Sequence, residues 1–260
     1  MPNAAEEAPI ATYPSLKGKT VLVTGGGGGI GAAIVRRFVE QGASTGFIDI
    51  AEAASKALAA RLDGPGRQLH FERADLRDID ALRAAIGAIR ARFGPIDILI
   101  NNAAHDERHA TPDVTPEYFD ERIAVNLKHQ FFAAQAVLPD MVAKEKGVII
   151  NFGSTSWLLG RGNMPVYTAA KAAVLGFTRS IARDYGKYNV RCLAIAPGWT
   201  MTERQLSLWL TPEGEQELMK GQCLKRKITP DDIARVTLFF ASDEAGVMTN
   251  QQYVADGGWF

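Results

Sequence analysis

Short apolar runs alternate with segments of helical periodicity along nearly the whole chain. Lys19 to Thr24 is a β-branched run, and Ile30 to Gln41 then sets Ile34, Val35, Phe38 and Val39 at the spacing of one helix face. The pairing recurs, with strands at Ser44 to Ile50, Gln68 to Glu72 and Ile96 to Asn101 and helices at Ala51 to Leu62 and Ile79 to Phe93. Thr115 followed by Pro116 and Glu117 opens another helix, because the hydroxyl can cap it and proline is tolerated in the first turn. That helix runs, with interruptions, to Ala143. An apolar run from Val148 and another over Val190 to Ala196 enclose an Ala-rich helical segment. Asp231 to Ala241 and Gln252 to Val254 give the last helix and strand. Gly198 to Lys227 is irregular, with a helix start at Thr211-Pro212-Glu213.

Strands alternating with helices of this length predict an α/β fold. It is a single Rossmann-like doubly wound parallel sheet of about seven strands flanked by helices, with a small helical substrate lobe at about 198 to 227. Composition does not break anywhere between 15 and 260, so this stretch reads as one domain. Residues 1 to 14, acidic and rich in Ala and Pro, read as a mobile N-terminal arm.

The first strand and first helix are joined by Thr24-Gly-Gly-Gly-Gly-Gly-Ile-Gly31. Without β-carbons the backbone can turn tightly and bring its amides close to a pyrophosphate, which the positive end of the following helix favours. Gly25, Gly28, Gly29, Ile30 and Gly31 are therefore candidate cofactor-binding positions. Asp49 ends the second strand, where a carboxylate accepts hydrogen bonds from an adenosine ribose and repels a 2′-phosphate, favouring NAD over NADP. Asp75 and Leu76 follow the third strand, where an adenine edge would lie. Asn102, Ala103 and Ala104 follow the fourth; its asparagines either cap turns or hold the cofactor and adjoining strands. Asn126 stands mid-helix against its propensity, which marks a possible functional post.

Tyr167 and Lys171 stand four residues apart, one turn apart on one helix face. A phenol with a reference pKa of about 10 is a poor base at neutral pH, and a nearby ammonium lowers that value. Such a Tyr can exchange a proton with a substrate hydroxyl or carbonyl. Ser154 follows the apolar run at Val148, which puts its hydroxyl at a strand's carboxyl end, where open α/β sheets bind ligands.

In order and spacing these motifs resemble the short-chain dehydrogenase/reductase family over residues 17 to 260. The resemblance implies that Ser154 hydrogen-bonds the reacting oxygen and that Tyr167 is the acid/base. It implies that Lys171 holds the nicotinamide ribose and lowers the Tyr pKa, and that Asn126 anchors a water of the proton relay. It places Pro197, Gly198, Thr200 and Thr202 beside the nicotinamide. Ala104 stands where the family has Gly, and Cys192 where Asn is common.

Within the family the likeness is strongest to bacterial aldose 1-dehydrogenases, those for D-xylose in particular, and sulfoquinovose 1-dehydrogenases are similar. The stretches that carry it are Tyr13 to Lys19, Asp106 to His109, Asn151 to Ser154 with Ser156-Trp157, Thr211 to Glu215 and Gln222 to Lys225. The implied reaction is NAD-dependent oxidation of the C1 hydroxyl of an aldose to the aldonolactone. Candidate sugar-binding residues are His105, Arg108, Ser154, Ser156, Trp157, Asn163, Tyr167, Trp199 and Arg204, with the lobe from Thr200 to Leu224 as a lid. The arginines either meet an anionic sugar group or form surface ion pairs. Competing readings are a carbonyl or 3-oxoacyl reductase and, from another class, a non-catalytic NAD-sensing or scaffold protein. The family likeness also implies a homotetramer, formed through the 115–143 and Tyr/Lys helices, with the tail Asp256 to Phe260 near another interface.

Charge narrows the partners. Lys plus Arg and Asp plus Glu number 29 each, a balance that speaks against nucleic acid or a polybasic membrane surface. Cys192 and Cys223 are too few for a disulfide framework and sit in no metal-ligand spacing; both fit free thiols in a reducing cytoplasm, and no metal is expected.

Overall fold

Five of the seven strands are apolar enough to be buried along most of their length, the signature of a parallel sheet covered on both faces. A computed structural model, which describes residues 10–260, arranges them in one parallel sheet in the order β3-β2-β1-β4-β5-β6-β7. The strands are β1 (Thr20–Thr24), β2 (Ser44–Asp49), β3 (Gln68–Arg73), β4 (Ile98–Asn101), β5 (Gly147–Phe152), β6 (Val190–Pro197) and β7 (Gln252–Ala255). Between them lie α1 (Gly29–Glu40), α2 (Glu52–Leu62), α3 (Ile79–Phe93), α4 (Pro116–Ile123), α5 (His129–Ala143), α6 (Pro165–Tyr185), α7 (Glu203–Leu208), α8 (Pro212–Gly221) and α9 (Pro230–Ala241).

Two apolar layers hold the sheet. Ile34, Phe38 and Phe47 lie in one, with Ile233 and Leu238 of α9. Leu22, Ile48, Ile86 and Leu99 lie in the other, with Ala133 and Val137 of α5. Helices α1 and α9 are joined by a half-buried ion pair: Arg37 Nε and Nη2 donate to Asp231 at 2.5 and 2.7 Å. Burial pushes the Asp231 carboxyl up, but Arg37 and Arg235 outweigh it and hold it at about 2. β1 pairs with β2 on one side and β4 on the other, so the strand order reverses there. A crevice opens at that reversal, beyond the carboxyl ends of the strands, which is where such sheets bind ligands.

Caps set the helix starts near the site. Thr115 Oγ1 accepts from the Tyr118 amide, and Thr229 and Asp232 form a reciprocal capping box at α9. The interruption expected between Thr115 and Ala143 is a π-helical turn, Ala124–Lys128, with the buried Asn126 on it. Helix α7 was not foreseen: six residues carry no period, and only Thr202, accepting from the Gln205 amide, marks its start. Residues 1–9 of the stretch read as an arm lie outside the described residues. At its inner end the Tyr13 amide donates to Gln41 Oε1 at 2.8 Å, and Gln41 Nε2 donates to the Ala11 carbonyl.

Candidate active site

Glycines shape the first half of the crevice by sheer lack of room. A β-carbon on Gly31 would stand 1.8 Å from the Gly25 carbonyl oxygen. Asn102 fixes the turn from the next strand, its Nδ2 donating to the Thr24 and Gly25 carbonyls at 3.0 Å. Its backbone amide donates to Thr24 Oγ1. Gly28 precedes α1 without a side-chain cap, which leaves the first amides of that helix turned outward. Asp49 accepts from the Gly27 and Ala51 amides, both at 2.8 Å. Beyond them a cavity of about 1000 Å³ is lined by Gly25, Gly28, Gly29, Gly31, Asp49, Asp75, Leu76, Ala103 and His105. Its length, glycine floor and terminal carboxylate suit a dinucleotide. Ser55 Oγ lies buried beneath Gly27, with no hydrogen-bond partner among the described residues.

The second half of the crevice is a cavity of about 390 Å³, within the size range of small-molecule sites. It is continuous with the first through Ile30, Asn102, Ala104 and Thr202, which line both. Ser154, Tyr167 and Lys171 meet here, together with Pro197, Gly198 and Thr200. Tyr167 is 9% exposed and Lys171 1% exposed. Lys171 Nζ donates to the Phe152 carbonyl at 2.7 Å and lies 5.8 Å from the Tyr167 ring centroid. Ser154 Oγ accepts from the Ser156 amide at 3.1 Å.

Burial raises the Tyr167 phenol above its ordinary value and the Asp106 carboxylate adds to that, while the Ser154 hydroxyl and Arg108 oppose. The same burial pushes the Lys171 ammonium down to about 7, against Asp106. His129 lies fully buried, its imidazole pushed down to about 3 by burial and then by Lys171, so it is neutral. The pocket thus holds an acid and a base whose charged forms both need a partner in order to appear at neutral pH.

Asn126 is inside the protein, not on the cavity wall. Its Oδ1 accepts from the His105 amide at 2.9 Å, and its Nδ2 donates to the His105 and Arg122 carbonyls. The π turn thereby clamps the chain just after β4. Its own carbonyl accepts from Gln130 Nε2. Of the proposed sugar-binding residues, Arg108, Ser156 and Trp199 line the smaller cavity. His105 and Arg204 line the larger one instead. The His105 ring is held below its usual pKa by burial, then by Arg204 and Arg122, and Arg204 Nε is taken up by Asp106 at 3.3 Å. Trp157 and Asn163 line neither cavity. Asn163 is an exposed turn residue with φ +60°, and its carbonyl accepts from the His109 amide.

Sequence reasoning missed two pocket walls. Trp209, just after α7, stacks with Arg108. Arg161 Cζ lies over the Trp259 ring, 4.5 Å from its centroid, so the tail packs on the chain's own pocket. The signal was available: Gly257 and Gly258 both have positive φ and turn the tail back, with Asp256 accepting from the Gly258 and Phe260 amides. Three of the chain's four tryptophans, Trp199, Trp209 and Trp259, face this one cavity.

Residues 25–260 match the family model described as enoyl-(acyl carrier protein) reductase. The chain belongs to the short-chain dehydrogenase/reductase family of oxidoreductases. It is 46% identical over 249 residues to D-xylose 1-dehydrogenase of Caulobacter vibrioides, covering 96% of this chain and 98% of that protein. It is also 46% identical over 253 residues to a probable galactose dehydrogenase of Rhizobium meliloti, covering 97% and 99%. Among solved structures, 7α-hydroxysteroid dehydrogenase complexed with NADH and 7-oxo glycochenodeoxycholic acid superposes with a TM-score of 0.90 at 31% identity, over 95% of this chain and 96% of that one. Among the described residues no helix is long and apolar enough to cross a membrane.

Proposed function

We propose that the protein oxidises the C1 hydroxyl of a neutral aldose to its lactone with NAD. The observation that carries this reading is the small cavity itself. A phenol, a serine hydroxyl, a buried lysine and three indoles line it together, and an amphipathic sugar ring offers both the hydroxyls and the C–H faces such walls accept. The names of the two 46% relatives support the substrate class.

In this reading Gly25 to Gly31 and the first amides of α1 hold the pyrophosphate. Asp49 and Asp75 with Leu76 take the adenosine end, and Asn102 to Ala104 with Pro197 to Thr202 take the nicotinamide end. NAD, once bound, supplies the hydride acceptor. Ser154 holds the C1 oxygen and Tyr167 receives its proton. The Lys171 ammonium holds a ribose hydroxyl and favours the phenolate, and Asn126 acts indirectly by fixing the chain at His105. Exposed Phe119 and Phe131, on α4 and α5, supply the apolar surface that pairing of those helices in a homotetramer would cover.

The test is a panel of neutral aldoses, uronic acids, sulfonated sugars and 3-oxoacyl thioesters, with NAD and NADP, followed at the NADH absorbance band. Turnover of a neutral aldose with NAD supports the reading. Turnover confined to an anionic sugar or to a ketone substrate replaces it, and binding of NAD without any turnover would mark a sensor.

Asp49 also gives a separate expectation. Asp49→Asn keeps an acceptor for the Gly27 amide but removes the charge that meets a 2′-phosphate. The NADP-to-NAD ratio of kcat/KM should rise on the order of 100-fold. An unchanged ratio would place the adenosine ribose elsewhere.

A further inference from the structure

The small cavity contains three cationic side chains, and two of them are already engaged. Arg161 Nη1 meets Glu217 at 2.7 Å and stacks on Trp259. Lys171 Nζ donates to the Phe152 carbonyl. Arg108 differs. Its Nε is buried and has no hydrogen-bond partner among the described residues, and its Nη1 meets only the Met164 sulfur, at 3.9 Å. Of the two acids that precede it, Asp106 is used by Arg204 and by Gln205 Nε2 at 2.7 Å, and Glu107 Oε2 accepts from Arg122 Nη1 at 3.2 Å. Arg108 is half-buried, and a ligand oxygen would give its unpartnered Nε the acceptor that the surrounding side chains do not.

Its position is also fixed. Arg108 Cζ lies over the Trp209 ring, 5.2 Å from its centroid. The next residue ties this loop to the helix that bears Tyr167. The His109 amide donates to the Asn163 carbonyl at 2.8 Å, and His109 Nε2 accepts from the Val166 amide at 3.2 Å. Arg108 is therefore held on the wall of the cavity that Tyr167 also lines, where its guanidinium is a planar fork of donors.

We propose that Arg108 is the specificity-determining residue of the pocket, its guanidinium receiving two neighbouring oxygens of the sugar away from the reacting C1 hydroxyl. This rests on the aldose reading above and goes further by naming the group that selects and orients the sugar. Two adjacent ring hydroxyls match the fork, and a carboxylate on a uronic acid offers the same pair of oxygens.

Arg108→Met keeps the stem against Trp209 and removes the fork. The KM for the aldose that the wild type oxidises best should rise about 10- to 100-fold, the usual worth of a hydrogen bond to a charged group. The Kd for NAD and the Tm should not change. Against a series of monodeoxy analogues of that aldose, the wild type and Arg108→Met should become equal for the one or two analogues that lack the contacted hydroxyls. Arg108→Lys should recover only part of the loss, and millimolar guanidine should rescue Arg108→Ala, which a merely structural role would not allow. If a uronic acid is the better substrate and loses its advantage in Arg108→Met, the oxygen pair belongs to the carboxylate and the proposal holds. An unchanged KM in Arg108→Met, or an equal loss for every deoxy analogue, overturns it. A wild-type enzyme that oxidises no sugar removes the parent reading as well, so the two failures are distinct.

Discussion

Tyr167→Phe should lower kcat with an aldose and NAD by about 10³-fold while leaving the Kd for NAD unchanged, since a positioned acid/base contributes roughly 10²- to 10⁴-fold. The ring stays, so the packing stays; only the oxygen facing Ser154 is lost. The pH profile carries the sign. Burial raises the phenol above its ordinary value, and oxidation needs the phenolate. The rate should therefore climb as pH rises through the alkaline range, with no plateau near neutrality. Lys171 bears on the same equilibrium from the other direction. Its ammonium is pushed down to about 7 from 10.5, so between those values the unfolded chain binds more protons than the folded one. The stability contributed by this site should rise with pH across that window, and Lys171→Met should lose that slope in denaturant titrations at pH 7 to 10. Near-wild-type turnover by Tyr167→Phe would remove the phenol from the chemistry. A Lys171→Met stability curve parallel to wild type would mean that Lys171 is not desolvated as described.

Much of this was legible because the fold uses signals that survive in one dimension. A parallel strand buried on both faces leaves an apolar run, and β1, β5 and β6 were each bounded within a residue or two. The glycine turn announces itself because only glycine fits the approach of Gly31 to Gly25. Tyr167 and Lys171 are related by one helical turn, and that relation needs no tertiary information. The pocket walls are different. Arg108 and Trp209 lie about a hundred positions apart and meet only when the lobe from 200 to 227 folds over the loop after β4. The role of Asn126 was half legible: its awkward place in a helix was visible, but its use as a clamp on the His105 backbone depends on a π turn that no periodicity reports. Arg204 reads as a possible anion partner until its neutraliser, Asp106, is seen beside it.

Gly31→Ala should cost both stability and cofactor affinity, for a reason that can be separated from the chemistry. The added methyl would sit 1.8 Å from the Gly25 oxygen and 2.7 Å from Asn102 Nδ2, and neither atom can yield without moving the turn. Gly25 is backbone and is itself held, its amide donating to the Ile48 carbonyl at 2.8 Å, while Asn102 is anchored to Thr24. Overpacking of this kind costs about 1–3 kcal/mol, which for a chain of this size lowers Tm by roughly 2–12 °C. Displacing the turn by about an ångström should weaken NAD binding on the order of 100-fold. Gly28→Ala is the control. Its β-carbon would meet nothing within 4 Å, and its φ of −156° is open to any residue, so the Tm should hold. If the space outside Gly28 is where the pyrophosphate lies, the methyl should still reduce NAD affinity, because it occupies the ligand's room and not the protein's. Loss of Tm and affinity in Gly31→Ala beside loss of affinity alone in Gly28→Ala assigns the turn to the cofactor. Wild-type affinity in both variants would move the dinucleotide off these amides and, with it, off the approach to Tyr167.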